Sequence, residues 1–150
     1  MTPIQQLYLG VGASKKTYMD DVFSTYLYTG NATARSINNG IDLTGEGGMV
    51  WVKSRASTEP HCLFDTVRGV TKFVRSNESD AESTEAATLS AFNSNGFSLS
   101  TANRTNQANK EYASWSFRKA KGFFDVVTYT GDGASAKTIS HSLGSIPGLI

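Results

Sequence analysis

The stretch YASWSFRK, residues 112–119, alternates without a break. Tyr112, Ser114, Ser116 and Arg118 fall on one side, and Ala113, Trp115, Phe117 and Lys119 on the other. A period of two belongs to a β-strand, whose successive side chains point to opposite faces. The pattern therefore commits this part of the chain to a sheet. Apolar side chains facing in and polar ones facing out is the arrangement expected where one face of a sheet is wet.

Other runs read the same way. VFSTYLYTG (22–30), MVWVKSR (49–55), HCLFDTVRG (61–69), KFVRSN (72–77), SNGFSLST (94–101) and FFDVVTYTG (123–131) are rich in β-branched and aromatic residues and end in turn residues. In ARSINNGIDL (34–43) a turn or bend is expected at Asn38-Asn39-Gly40, where Asn-Gly is a strong hairpin signal, with Ile37, Ile41 and Leu43 as apolar anchors. Ser79 with Glu82 fits a capping box. The apolar face of residues 76–92 is thin, so one or two helical turns are the most expected there. Roughly eight short strands joined by turns predict an all-β fold, an antiparallel β-sandwich of two packed sheets.

Composition agrees with that and narrows the function. Ser, Thr and Asn make up 43 of the 150 residues, a neutral polar surface suited to strands and turns. Lys plus Arg is 14 and Asp plus Glu is 13, for a formal net charge of +1. That balance offers no electrostatic footprint for nucleic acid or an anionic membrane. No run approaches the roughly 18 apolar residues of a membrane-spanning helix. Cys62 is the one cysteine, so no intrachain disulfide is expected.

Candidate chemistry is sparse. LGVGASKKT (9–17) lacks the glycine that a phosphate loop places before Lys-Ser/Thr, because Lys15 stands there. His61, Cys62 and His141 do not have the spacing of a zinc site. Cys62 reads as a buried strand residue. Asp20-Asp21 lacks the ladder of a calcium loop, though Asp42, Glu46 or Asp132 would serve a loop calcium. Asp65, Glu78 and Glu82 are acids without a paired signature. No catalytic residue, metal or cofactor is expected. Among the aromatics Tyr26, Tyr28, Trp51, Tyr112, Trp115 and Phe117, the residues Tyr28, Trp51 and Tyr112 are the candidate glycan contacts; core packing is the commoner use of such residues on strands.

The chain also repeats itself. Tyr28-Thr29-Gly30 returns as Tyr129-Thr130-Gly131, and Ala34-Arg35-Ser36-Ile37 as Ala136-Lys137-Thr138-Ile139, with the extra residue assigned to the turn at Gly133. Gly48-Met49-Val50 returns as Gly148-Leu149-Ile150. A period of about 100 residues is domain-sized, beyond the 20–50 of solenoid units. Three regions are expected: an N-terminal anchor peptide and connector (1–21), a sandwich (22–128), and the start of a second unit (129–150) that continues past Ile150. The run LYLGVGA (7–13) is too short to make a core, so Ile4, Leu7, Tyr8, Leu9 and Val11 are expected to dock on a partner, by insertion or by strand addition.

Several phrases have a family look. MTPIQQLYLGVGA, MDDVFSTYLYTGN, SINNGIDLTGEGGMVWVKSR, LFDTVRG, SNGFSLST, YASWSFRKAKGFFDVVTYTGDG and ISHSLGSIPG resemble virion structural proteins of marine tailed phages that infect cyanobacteria. The sandwich part is similar to concanavalin- or laminin-G-like jelly rolls. The resemblance implies the N-terminal, particle-attachment domain of a tail fibre or similar appendage on the virion. Its implied partners are other virion proteins (a tail adaptor, nozzle or neighbouring structural protein) and further copies of itself, a trimer being favoured. Distal domains would meet host glycans. The alternative is a lectin-like carbohydrate-binding domain; a glycan-cleaving enzyme ranks last.

Overall fold

A computed structural model describes residues 16–150. Ile4, Leu7, Tyr8, Leu9 and Val11 lie outside the described residues, so the docking expectation attached to them does too.

The elements run α1 (Met19–Val22), β1 (Phe23–Thr29), β2 (Arg35–Asn38), β3 (Gly48–Ser54), β4 (Cys62–Asp65), β5 (Lys72–Phe73), β6 (Ser83–Thr84), β7 (Leu89–Asn93), β8 (Gly96–Leu99), α2 (Asn103–Asn106) and β9 (Glu111–Arg118). All strand pairs are antiparallel. One sheet has the order β1-β9-β3-β4, a second β2-β8-β7, and β5 pairs with β6. A bridge between Leu63 and Val74 ties β5 to the outer edge of β4. The chain is an all-β sandwich.

Opposed residues of an antiparallel pair share a face, so the register sorts the four-stranded sheet into two sides. Ser24, Ser116, Val50 and Phe64 form one row, Tyr26, Ser114, Val52 and Cys62 the next, and Tyr28, Tyr112 and Ser54 a third. This is the inner side: Val50, Val52, Cys62, Phe64 and Tyr112 are fully buried. Ile37, Phe97, Leu99 and Leu89 of the second sheet meet it in a single cluster, joined by Ile41, Leu43 and Phe73. Each such aliphatic or phenylalanine side chain contributes about 1.5–3 kcal/mol relative to leaving it in water.

On β9 the expectation is inverted. Trp115 and Phe117 do not face the core; Tyr112, Ser114 and Ser116 do. Buried hydroxyls need partners, and they have them. The Asn39 side-chain amide donates to Ser116 Oγ (2.7 Å), and Ser114 Oγ donates to the Tyr26 carbonyl oxygen (3.2 Å). Trp115 and Phe117 point to the other side, where more aromatics wait for them.

Two further readings are corrected. Residues 76–92 form no helix. The chain instead wraps the Arg75 guanidinium, which donates to Glu78 (3.1 Å), Asp80 and Ser83 (2.8 Å), and Ser83–Thr84 then pair with β5. The short helices form instead at Met19–Val22, overlapping the connector, and at Asn103–Asn106. The bend expected at Asn38-Asn39-Gly40 is present, with Gly40 at φ +88°. Its amides bond to the β7–β8 turn: Asn39 N–H to the Asn95 carbonyl oxygen (3.2 Å), Gly40 N–H to Asn95 Oδ1 (3.0 Å). Finally, FFDVVTYTG has no paired strand, only an isolated bridge from Ala120 to Phe124.

Candidate functional site

The outer side of the four-stranded sheet carries the most distinctive surface among the described residues. Its central row is Thr25, Trp115, Trp51 and Leu63, and the next is Phe23, Phe117 and Met49. Trp51 and Trp115 are half-buried and face each other with ring centroids 5.3 Å apart, tilted by 55°. Tilted pairs at this spacing suit the ring quadrupoles and add about 0.5–1.5 kcal/mol to area burial. Phe23, Phe117 and Phe124 continue the stripe at 5.0 and 5.2 Å. At its other end Leu27 of β1 is 59% exposed.

His61 locks the tryptophan pair. Trp51 Nε1–H donates to His61 Nδ1 at 2.8 Å, and the rings lie 5.4 Å apart. Only an unprotonated Nδ1 accepts that bond. Burial first, and then the Lys53 ammonium, push the imidazole below its ordinary pKa. The folded state therefore prefers neutral His61, and the unfolded chain binds the extra proton. This contribution to stability is present above the ordinary histidine value of about 6.5 and is lost as pH falls through the lower folded value. Trp51 and Trp115 are the only tryptophans. Intrinsic fluorescence should accordingly shift between pH 7 and 5, and His61→Gln should flatten the change; an unchanged profile in the variant would place the titrating group elsewhere.

Two of the three aromatic residues assigned to glycans are in the core. Tyr28 is 7% exposed and Tyr112 fully buried, so neither can meet a ligand, which corrects that assignment. They stack at 5.1 Å and 11°, and burial, the leading cause, raises both phenol pKa values. Their hydroxyls pin α2 and its exit: Tyr28 donates to the Thr105 carbonyl oxygen (2.7 Å), and Tyr112 donates to that of Asn103 and accepts from Gln107 N–H (2.8 Å). Asn106, fully buried beside them, joins three segments. Its amide nitrogen donates to the carbonyls of Thr33 and Ser100, both at 2.7 Å, and its oxygen accepts from Asn31 N–H at 3.0 Å. Trp51 is the one glycan candidate left on a surface.

The remaining polar residues are employed locally. Asp65, buried, caps its own turn through Val67 N–H (3.0 Å) and Arg68 N–H (2.9 Å) and pairs with the Arg68 guanidinium. Glu78 pairs with Arg75, and Glu82 with Lys72 at 3.7 Å. Asp42 accepts from Thr44 Oγ1 and its N–H and from Gly45 N–H, which hold its carboxyl below the usual range. Cys62 is buried, and burial pushes its thiol up to about 11, away from nucleophile chemistry. Among the described residues no three His, Cys, Asp or Glu gather where they could hold a metal ion.

An open cleft of about 450 Å³ is lined by Lys119, Asp125, Val127, Ser140, His141 and Ser142 among others. It brings a serine, a histidine and an aspartate together, yet not as a catalytic triad. Ser142 Oγ donates to Asp125 (2.8 Å), and His141 Nδ1 accepts from Leu143 N–H (3.3 Å), so no histidine is placed to take the serine proton. Burial raises the Asp125 carboxyl, but Ser142 N–H, Lys119 and Ser142 Oγ outweigh it and hold it below the carboxylate range.

Sequence reasoning flagged both tryptophans but not the His61 lock, because His61 stands ten residues from Trp51 and only the β3–β4 register brings it round. With this geometry in place, the comparisons add one relationship. The chain belongs to the family described as a domain of unknown function, DUF7483, whose model matches residues 19–150. No curated protein and no solved structure matches it.

Proposed function

We propose that this DUF7483 chain is a virion structural module, the particle-proximal domain of a tail fibre or similar appendage, which holds distal host-recognition domains in place. One observation carries the reading. β1 is the terminal strand of its sheet among the described residues, and its sequence FSTYLYT has neither charge nor proline. Leu27 and Tyr26 on it are 59% and 37% exposed. Sheet edges are ordinarily guarded by charges, prolines or short length. An uncharged seven-residue edge beside an aromatic stripe is suited to strand addition from a partner. The partner in this reading is a neighbouring virion protein or another copy of the chain, with a trimer favoured.

The family resemblance of the sequence supports the same role. A lectin-like role ranks second: with Tyr28 and Tyr112 in the core it rests on Trp51, whose indole N–H is already engaged. Deleting Met1–Ala13 should yield particles that lack the appendage while the protein itself still folds. Particles that retain it at the normal copy number would overturn the attachment role.

A further inference from the structure

The two copies of the repeat share a conformation as well as a sequence. In the first, Asn31 Oδ1 accepts from Thr33 N–H (3.0 Å), Ala32 is left-handed at φ +53°, and Arg35 donates to the Thr29 carbonyl oxygen (2.8 Å). In the second, Asp132 Oδ1 accepts from Ala134 N–H (3.0 Å), Gly133 is left-handed at φ +77°, and Lys137 donates to the Thr130 carbonyl oxygen (2.6 Å). Gly133 is thus the counterpart of Ala32, and the extra residue of the second copy follows it, which corrects the alignment drawn from sequence.

What differs is everything that surrounds the turn. Around the first copy, Gly30 exchanges backbone bonds with Lys110 (2.8 Å) and Asn109 (3.0 Å), Ala32 N–H reaches the Asn106 carbonyl oxygen (2.8 Å), and Tyr28 stacks on Tyr112. A Cβ on Gly30 would collide with the Gln107 carbonyl oxygen, whereas one on Gly131 would meet nothing. Tyr129 is 66% exposed where Tyr28 is buried. Val127, on the same stretch, is exposed as well.

We propose that residues 123–140 are the β1–turn–β2 arm of a second sandwich of this same build, joined in tandem, and that the arm completes by pairing with that unit's counterpart of β9. The turn is already set by its own hydrogen bonds, so only the long-range partners are missing. The chemistry of the partner follows from the first copy. It is an antiparallel strand with a tyrosine opposite Tyr129, followed across the sheet by a strand that extends Leu149-Ile150, and a polar turn that closes on Gly131. Phe124, the counterpart of Phe23, would keep its aromatic contact with Phe117 at 5.2 Å at the junction of the two units.

The test uses the natural polypeptide extended through its reading frame beyond Ile150, beside residues 1–150 alone. Hydrogen exchange at the amides of Val126–Thr130 should slow on the order of 100-fold in the longer protein, as expected when unpaired backbone enters a stable sheet. Tyr129→Ala should abolish that protection there, and should leave the unfolding midpoint of residues 1–150 unchanged. A stop codon after Ile150, or equally fast exchange in both proteins, overturns the proposal. Protection that appears in residues 1–150 alone and grows with protein concentration also overturns it, in favour of pairing between copies.

Discussion

Asn106→Ala is expected to lower the stability of the domain by about 3–4 kcal/mol, read as a shift of the urea midpoint at unchanged slope. The side chain is fully buried and bonds to backbone of the β1–β2 loop at Asn31 and Thr33 and of the β8–α2 connection at Ser100. Truncation leaves one N–H and two carbonyl oxygens without partners, each a loss of about 1–3 kcal/mol for a buried group. Asn31 and Thr33 are exposed and Ser100 is half-buried, so water recovers much of this and the low end of the range applies. Against a typical total of about 5–15 kcal/mol the loss is large. Asn106→Asp separates the contributions. It keeps the acceptor for Asn31 but turns a carboxylate oxygen toward two carbonyls, so it should destabilise at least as much. A loss below about 1 kcal/mol in both variants would mean that the loops hold together without this residue.

The same residue marks the limit of what the sequence discloses. The strands were legible because β3 and β9 alternate with period two, a local property that survives into the fold. Which face of β9 turns inward was not. Hydrophobicity favours Trp115 and Phe117 as core, yet they lie half-buried on the outer face of the sheet. The decision lies with Asn39, Tyr28 and the second sheet, which meet the serine and tyrosine side. The loop assembly was illegible for the same reason: Asn106 and Thr33 are 73 residues apart, Tyr28 and Thr105 77. The helical expectation at Ser79–Glu82 failed on a tertiary competitor, since the carboxylates of Glu78 and Asp80 are drawn to Arg75 rather than to a helix N-terminus. For the outer surface, Trp51 and Trp115 could be named as aromatics on strands. Their pairing needed the register that sets them opposite each other.

Tyr112→Ala should cost about 3–5 kcal/mol, the range of large aromatic truncations in a packed core. The ring is fully buried against Tyr28, and no neighbouring element is free to collapse into the space because β9 is paired on both sides. Removing the hydroxyl alone, by Tyr112→Phe, leaves the Asn103 carbonyl oxygen and Gln107 N–H unpaired and should cost about 1–2 kcal/mol. Alkaline unfolding supplies an independent reading of the same pair. Both phenols have folded pKa values above the ordinary value of about 10, so the unfolded chain gives up its protons first. The stability they confer is complete below about pH 10 and declines as pH rises above it, and Tyr112→Phe should weaken that decline. The outcome also discriminates function. A tyrosine that served glycan binding from the surface would be removable at less than about 0.5 kcal/mol, the usual effect of a surface substitution. A full core penalty instead makes the stacked tyrosines the clamp that joins β1 and β9 to α2. Tyr129, which matches Tyr28 in the repeat, is exposed and makes no such clamp.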